Sequence, residues 1–163
     1  MRVIGFLCLI VTVVATPAAS AAGPKIQVVN FTADWCPVCR IFDPRLESAI
    51  ETFDRGDVEV VRIDLTVTKT GTREQKDRFW AGFYNDMRSS GMMVIHKGYN
   101  GYPYTGYATV IAADTKEPIV CFKGTVSASL IRRELEAAIE RVLTTPPGQR
   151  RTAYSNCPDS FIS

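Results

Sequence analysis

The chain has 163 residues, 46% hydrophobic and 22% charged, a balance that fits one soluble globular domain able to build its own core. A formal net charge of +2 excludes the strongly basic surface that nucleic acid or an anionic membrane would select, so no nucleic-acid partner is expected. No long basic run occurs; Arg150-Arg151 stands out only as a pair in the tail.

Residues 1–22 read as a secretory signal peptide. Arg2 supplies the positive start, Val3 to Ala15 an apolar stretch, and Ala18-Ala19-Ser20-Ala21-Ala22 the small residues that a signal peptidase needs. Cleavage is expected near Ala21 or Ala22. The alternative is an N-terminal membrane anchor, but the apolar stretch falls short of the roughly 20 residues that span a bilayer. An exported chain meets an oxidising compartment, and the bacterial periplasm is the expected location.

The run Ile26-Gln27-Val28-Val29-Asn30-Phe31 predicts a buried strand. Past Trp35 comes Cys36-Pro37-Val38-Cys39. Beyond it, Ile41, Phe42, Leu46, Ile50 and Phe53 recur at helical spacing. The two cysteines therefore stand at a strand-to-helix junction, with the first sulfur at a helix N-terminus. Free backbone N–H groups and the helix dipole favour a thiolate there, and a thiolate can attack a disulfide. Val58 to Asp64 predicts a second strand, Thr66 to Thr72 a loop, and Arg73 to Ser90 a helix with Phe79, Trp80, Phe83, Tyr84 and Met87 on its apolar stripe. Met92 to Thr105 is rich in tyrosine and glycine without clear periodicity. Tyr107 to Ala113 and Ile119 to Phe122 form a hairpin turned at Asp114-Thr115-Lys116. The last helix is capped by Ser127 and carries Leu130, Ile131, Leu135, Ala138, Ile139 and Val142 on one face. Three segments follow: a signal peptide at 1–22, a domain at 23–143 with an insertion at about 91–106, and an extended or disordered tail at 144–163.

Over residues 25 to 143 the chain resembles the thioredoxin family, most specifically in Val29-Asn30-Phe31-Thr32-Ala33-Asp34-Trp35-Cys36-Pro37-Val38-Cys39-Arg40. Pro44 stands where the family kinks its active-site helix. The resemblance implies an α/β, thioredoxin-like fold: a central mixed sheet of about four strands, helices on both faces, and an insertion before the C-terminal hairpin. It also implies a protein thiol:disulfide oxidoreductase most like the exported reductase members. Cys36 would be the nucleophile and Cys39 the resolving cysteine, the two forming the redox-active disulfide. Trp35, Pro37, Val38, Tyr107 and Ala108 would form the rim. No cofactor and no metal are implied. The partners would be disulfide-containing or dithiol proteins and a membrane electron donor, with oligomeric state open.

Two departures from the family pattern bear on mechanism. Asn30 stands where the family has a buried aspartate, so deprotonation of Cys39 must rely on water or another carboxylate. Ala108 aligns with the family's cis-proline, Pro103 being the alternative; a cis bond before a non-proline residue costs about 2.5–4 kcal/mol, so a trans peptide is expected at Ala108.

The same residues admit other chemistry. A zinc site would need two more ligands from His96, Cys121 and Cys157, which show no recognisable spacing. Cys121 reads as a small buried hydrophobe. Cys157 is open between a bridge to Cys121, a bond between chains and a free thiol. His96, the single histidine, reads as a surface loop residue. An oxidase or isomerase would share the dithiol, and a binding module would use the fold without turnover.

Overall fold

The computed structural model describes residues 23–98, 101 and 104–158. The signal-like segment and its cleavage point lie outside the described residues, as does Pro103. Among the described residues nine elements follow in order: β1 (Ile26–Thr32), α1 (Cys39–Ile50), β2 (Val58–Asp64), α2 (Val67–Thr70), α3 (Arg73–Ser89), α4 (Met93–Gly98), β3 (Tyr107–Ala112), β4 (Pro118–Lys123) and α5 (Ala128–Thr144). Among the described residues the strands form one mixed sheet in the order β2-β1-β3-β4. β1 runs parallel to β2 and antiparallel to β3, and β3 to β4 is the hairpin.

The period-two alternation of the strands sorts side chains onto two faces. On one face Ile26, Val28, Ala108 and Val110 pack with Phe42 and Leu46 of α1 and Ile131 and Leu135 of α5. On the other, Val29, Phe31 and Ile111 meet Phe83 and Met87 of α3 and Ile95 of α4. Each such Val, Leu, Ile, Phe or Met side chain, once buried, contributes about 1.5–3 kcal/mol. Two of the helices that cover the sheet, α3 and α5, begin on polar caps. Thr72 and Gln75 form a capping box for α3, and the Ser127 hydroxyl accepts the Leu130 N–H at 3.3 Å to start α5.

Two short helices depart from the sequence expectation. Thr66 to Thr72 contains α2 rather than a plain loop, and the aperiodic Met92 stretch begins with α4. Both are too short for a periodic signal to emerge.

Residues 145–158, which follow α5, are pinned to the hairpin. Arg150 is 5% exposed. Its guanidinium donates to both Asp114 carboxylate oxygens at 2.7 and 3.0 Å, and to the Thr145 carbonyl at 3.0 Å. That hydrogen-bonded guanidinium holds the Asp114 carboxyl below its ordinary range. The backbone N–H groups of Gly148 and Arg150 donate to the Glu117 carboxylate, and that of Thr152 donates to the Ile119 carbonyl. Cys157 then forms a disulfide with Cys121, their Cα atoms 4.8 Å apart. Cys121 is therefore not a free hydrophobe: it is fully buried in β4, half of a covalent link that fastens the tail.

Candidate active site

β1 ends at Thr32, and a turn through Ala33 to Val38 leads into α1. The Cys36 N–H donates to the Ala33 carbonyl at 3.0 Å, and the Phe42 N–H to the Val38 carbonyl at 2.9 Å, which sets the first helical turn. Cys36 and Cys39 form a disulfide across this junction, with Cα atoms 5.3 Å apart. The Cys39 N–H, one of the free donors at the start of α1, points at Cys36 Sγ from 3.1 Å. A sulfur so placed is stabilised when it carries negative charge. Both cysteines are almost covered, 3% and 2% exposed, while Pro37 and Val38 stand out in solvent above them.

Trp35 is fixed from the β2 side. Its indole N–H donates to the Thr66 carbonyl at 3.1 Å, and Lys69 Nζ of α2 lies 3.7 Å above its ring, a cation–π contact. The Asp34 N–H donates to the Thr66 hydroxyl at 2.9 Å. The segment that opens α2 thus positions Trp35, the residue that precedes Cys36. Sequence reasoning missed Thr66 and Lys69; the signal available was only their place after the second strand.

The opposite rim is not where the alignment put it. Ala108 is fully buried, pairs with Asn30 in the sheet and faces the α1–α5 side. The described residues contain no cis peptide bond. The backbone that approaches the cysteines belongs to Gly106, whose φ of +75° an L side chain rarely adopts. A Cβ there would lie 2.8 Å from Val38 Cγ1 and 3.8 Å from the Cys39 nitrogen. Gly124, just past β4, closes the same notch, where a Cβ would come within 1.8 Å of Val38 Cγ1 and 3.3 Å of its Cβ. Tyr107 is half-buried and packs on the cysteine side of the sheet, with Tyr104 beside it at 5.9 Å between ring centroids. Of the expected rim, Trp35, Pro37, Val38 and Tyr107 gather around the pair, and Gly106 replaces Ala108.

Gly124→Ala is expected to cost about 1–3 kcal/mol by overpacking, because the new Cβ would lie 1.8 Å from Val38 Cγ1, which must be forced out of its place. Thermal melting measures the loss, and Val38→Ala in the same chain should restore most of it. An unchanged melting temperature in the single variant would contradict the contact.

His96 packs edge-on against Phe83 and Tyr84 of α3, ring centroids 5.8 and 5.1 Å away, and burial pushes its pKa down. It is an aromatic-cluster residue rather than a surface one. Among the described residues no group of three or more His, Cys, Asp or Glu side chains is arranged to hold a metal ion. None of the described helices is long and apolar enough to cross a membrane.

A carboxylate, meanwhile, sits one turn below the pair. Asp43 of α1 accepts a hydrogen bond from the Asn30 amide at 3.0 Å through one oxygen and from the Thr32 hydroxyl through the other.

Comparison with known proteins bears on this part of the chain. The family model described as thioredoxin matches residues 18–76, which take in β1, the cysteine pair, α1 and β2. Thioredoxin of Gallus gallus is 42% identical over 45 residues, 28% of this chain and 41% of its own length. Thioredoxin H8 of Arabidopsis thaliana is 42% identical over 43 residues, 26% of this chain and 28% of its own length. The chain thus spans less than half the length of these curated relatives. Among solved structures, StoA from Bacillus subtilis is similar at 15% identity, covering 69% of this chain and 83% of its own, with a TM-score of 0.44. A thioredoxin-family thiol:disulfide interchange protein from Chlorobium tepidum TLS is similar at 24% identity, with coverage of 74% and 83% and a TM-score of 0.45. The matched strand, cysteine pair and helix, set in a four-stranded mixed sheet flanked by helices, make residues 18–76 similar to the thioredoxin family and the fold thioredoxin-like.

Proposed function

We propose that the chain is an exported thiol:disulfide oxidoreductase that reduces protein disulfides. The observation that carries this reading is the Cys39 N–H aimed at Cys36 Sγ from 3.1 Å, at the start of α1, within a pair that closes its own disulfide. The Cys36 thiolate attacks one sulfur of a substrate disulfide. A mixed disulfide forms, and the other substrate sulfur leaves with the electron pair. Cys39 then attacks Cys36 Sγ and expels the second substrate sulfur. Two electrons have passed from the dithiol to the substrate, and a dithiol donor, by family resemblance one at the membrane, must return the pair to its reduced form. Trp35, Val38 and the Gly106 backbone frame the approach to the sulfur.

Export is supported by the signal-like pattern of residues 1–22 and by the second disulfide, Cys121–Cys157, which persists best in an oxidising compartment.

Cys39→Ala leaves the attacking sulfur without its resolving partner, so mixed disulfides with substrate proteins should accumulate and dissolve on adding dithiothreitol. Failure to trap any adduct, with Cys36 reactive, would count against the mechanism. Direction is read from equilibration with glutathione, where a potential near −120 mV, the strongly oxidising end of the fold's range, would sink the reductase reading.

A further inference from the structure

We propose that Asp43 accepts the proton of Cys39 when the mixed disulfide is resolved. This rests on the oxidoreductase reading above, and it identifies where the base for the second step comes from.

Cys39 must lose its proton to attack Cys36. A thiol of ordinary pKa, about 8.5, is only a few per cent thiolate at neutral pH. Cys39 is 2% exposed, so dissolved bases reach it poorly. The fully buried polar side chain beneath the site, Asn30, cannot act as a base.

Asp43 can. It stands four residues after Cys39 in α1, a spacing that puts the two on one helix face. Asn30 and Thr32 of β1 each bind one carboxylate oxygen, so the group is held in place by two neutral donors and keeps lone pairs to spare. Cys39 and Asp43 line the same cleft, about 280 Å³ in volume, with Thr32, Ala33, Arg40 and Pro44 among its other walls. That is room for several waters, each about 30 Å³. Pro44 adds an acceptor in this cleft: with no N–H, it leaves the Arg40 carbonyl without its usual helical donor. A water held between Asp43 and that carbonyl has the partners it needs to relay a proton.

In the step itself, the Cys39 S–H proton passes through water to Asp43. The Cys39 sulfur bonds to Cys36 Sγ, and the bond to the substrate sulfur breaks. The departing thiolate leaves with the electron pair and is protonated by Asp43 or by solvent. Other charges face the carboxylate. Asp34 lines the cleft but is exposed; Arg40 lines it too and bonds the Asp34 carbonyl; Arg62 of β2 feels Asp43 while it pairs with Glu47.

The test uses the reduced full chain and Ellman's reagent in stopped flow. The first thionitrobenzoate released reports attack by Cys36, and the second reports resolution by Cys39. Asp43→Asn should leave the first release unchanged and slow the second about 10²-fold at pH 7. The second step of the variant should also rise about tenfold per pH unit up to the thiol pKa, where the wild type is flatter. Asp43→Glu should recover part of the rate. A second step in Asp43→Asn with wild-type rate and pH profile overturns the proposal. So does a change in melting temperature with no change in that profile, or a slow second step in Asp34→Asn instead. A wild type that gives no second release at all would defeat the oxidoreductase reading, not this assignment alone.

Discussion

Cys36→Ser is expected to bring insulin reduction by dithiothreitol down to the uncatalysed rate, read as turbidity from the precipitating B chain. The hydroxyl is close in size to the thiol and can still accept the Cys39 N–H, so the start of α1 should form as before. The chemistry disappears, because a serine oxygen at neutral pH is neither ionised nor able to form a disulfide with substrate. Cys39 is no substitute: it lies within the first turn of α1 and lacks the position before the helix in which Cys36 Sγ accepts a backbone N–H. Equal rates for the variant and the wild type would defeat the catalytic reading and leave a binding module.

Cys157→Ser is expected to lower stability by about 3–4 kcal/mol. The bridge to Cys121 closes a loop with a sequence separation of 36, and the chain-entropy cost that the bond removes from the unfolded state is of that size. For a chain of this length the melting temperature should fall by about 10 °C. The loss has a second source in the folded state. Without the bond, the contacts of Arg150 with Asp114 and of Tyr154 with Phe122 must hold the tail unaided. Denaturant unfolding of the variant and of wild type, without reductant, measures the difference. A change below about 0.5 kcal/mol, the range of ordinary surface substitutions, would mean that the bond is not structural. Insulin reduction should persist in the variant, since the tail lies on β4 and not at the cysteine pair.

The sequence made the strands, the three long helices and the redox pair legible because each carries its own local signal: β-branched runs, apolar spacing, and two cysteines set behind a tryptophan. Ser127 could be recognised as a cap for the same reason. What stayed hidden depends on distant parts of the chain. The Cys121–Cys157 bond joins a strand to an extended segment with no periodicity, and nothing local distinguishes it from two unrelated cysteines. Gly106 rather than Ala108 meets the pair because the chain reaches β3 with a positive φ at Gly106 and then buries Ala108 on the other face. Asp43, between Phe42 and Pro44, reads as a solvated helix position until the fold brings Asn30 and Thr32 beneath it.

The cysteines lie past the C-terminal end of β1, whereas Gly23, the first described residue, leads into its N-terminal end. The 7 residues of that strand, each rising about 3.3 Å, separate the two ends by about 20 Å. Whatever precedes Gly23 therefore joins the domain at the pole away from the redox chemistry. A chain tethered to a surface through that pole would present Cys36 outward, toward proteins passing by, and one released from it would lose no part of the site.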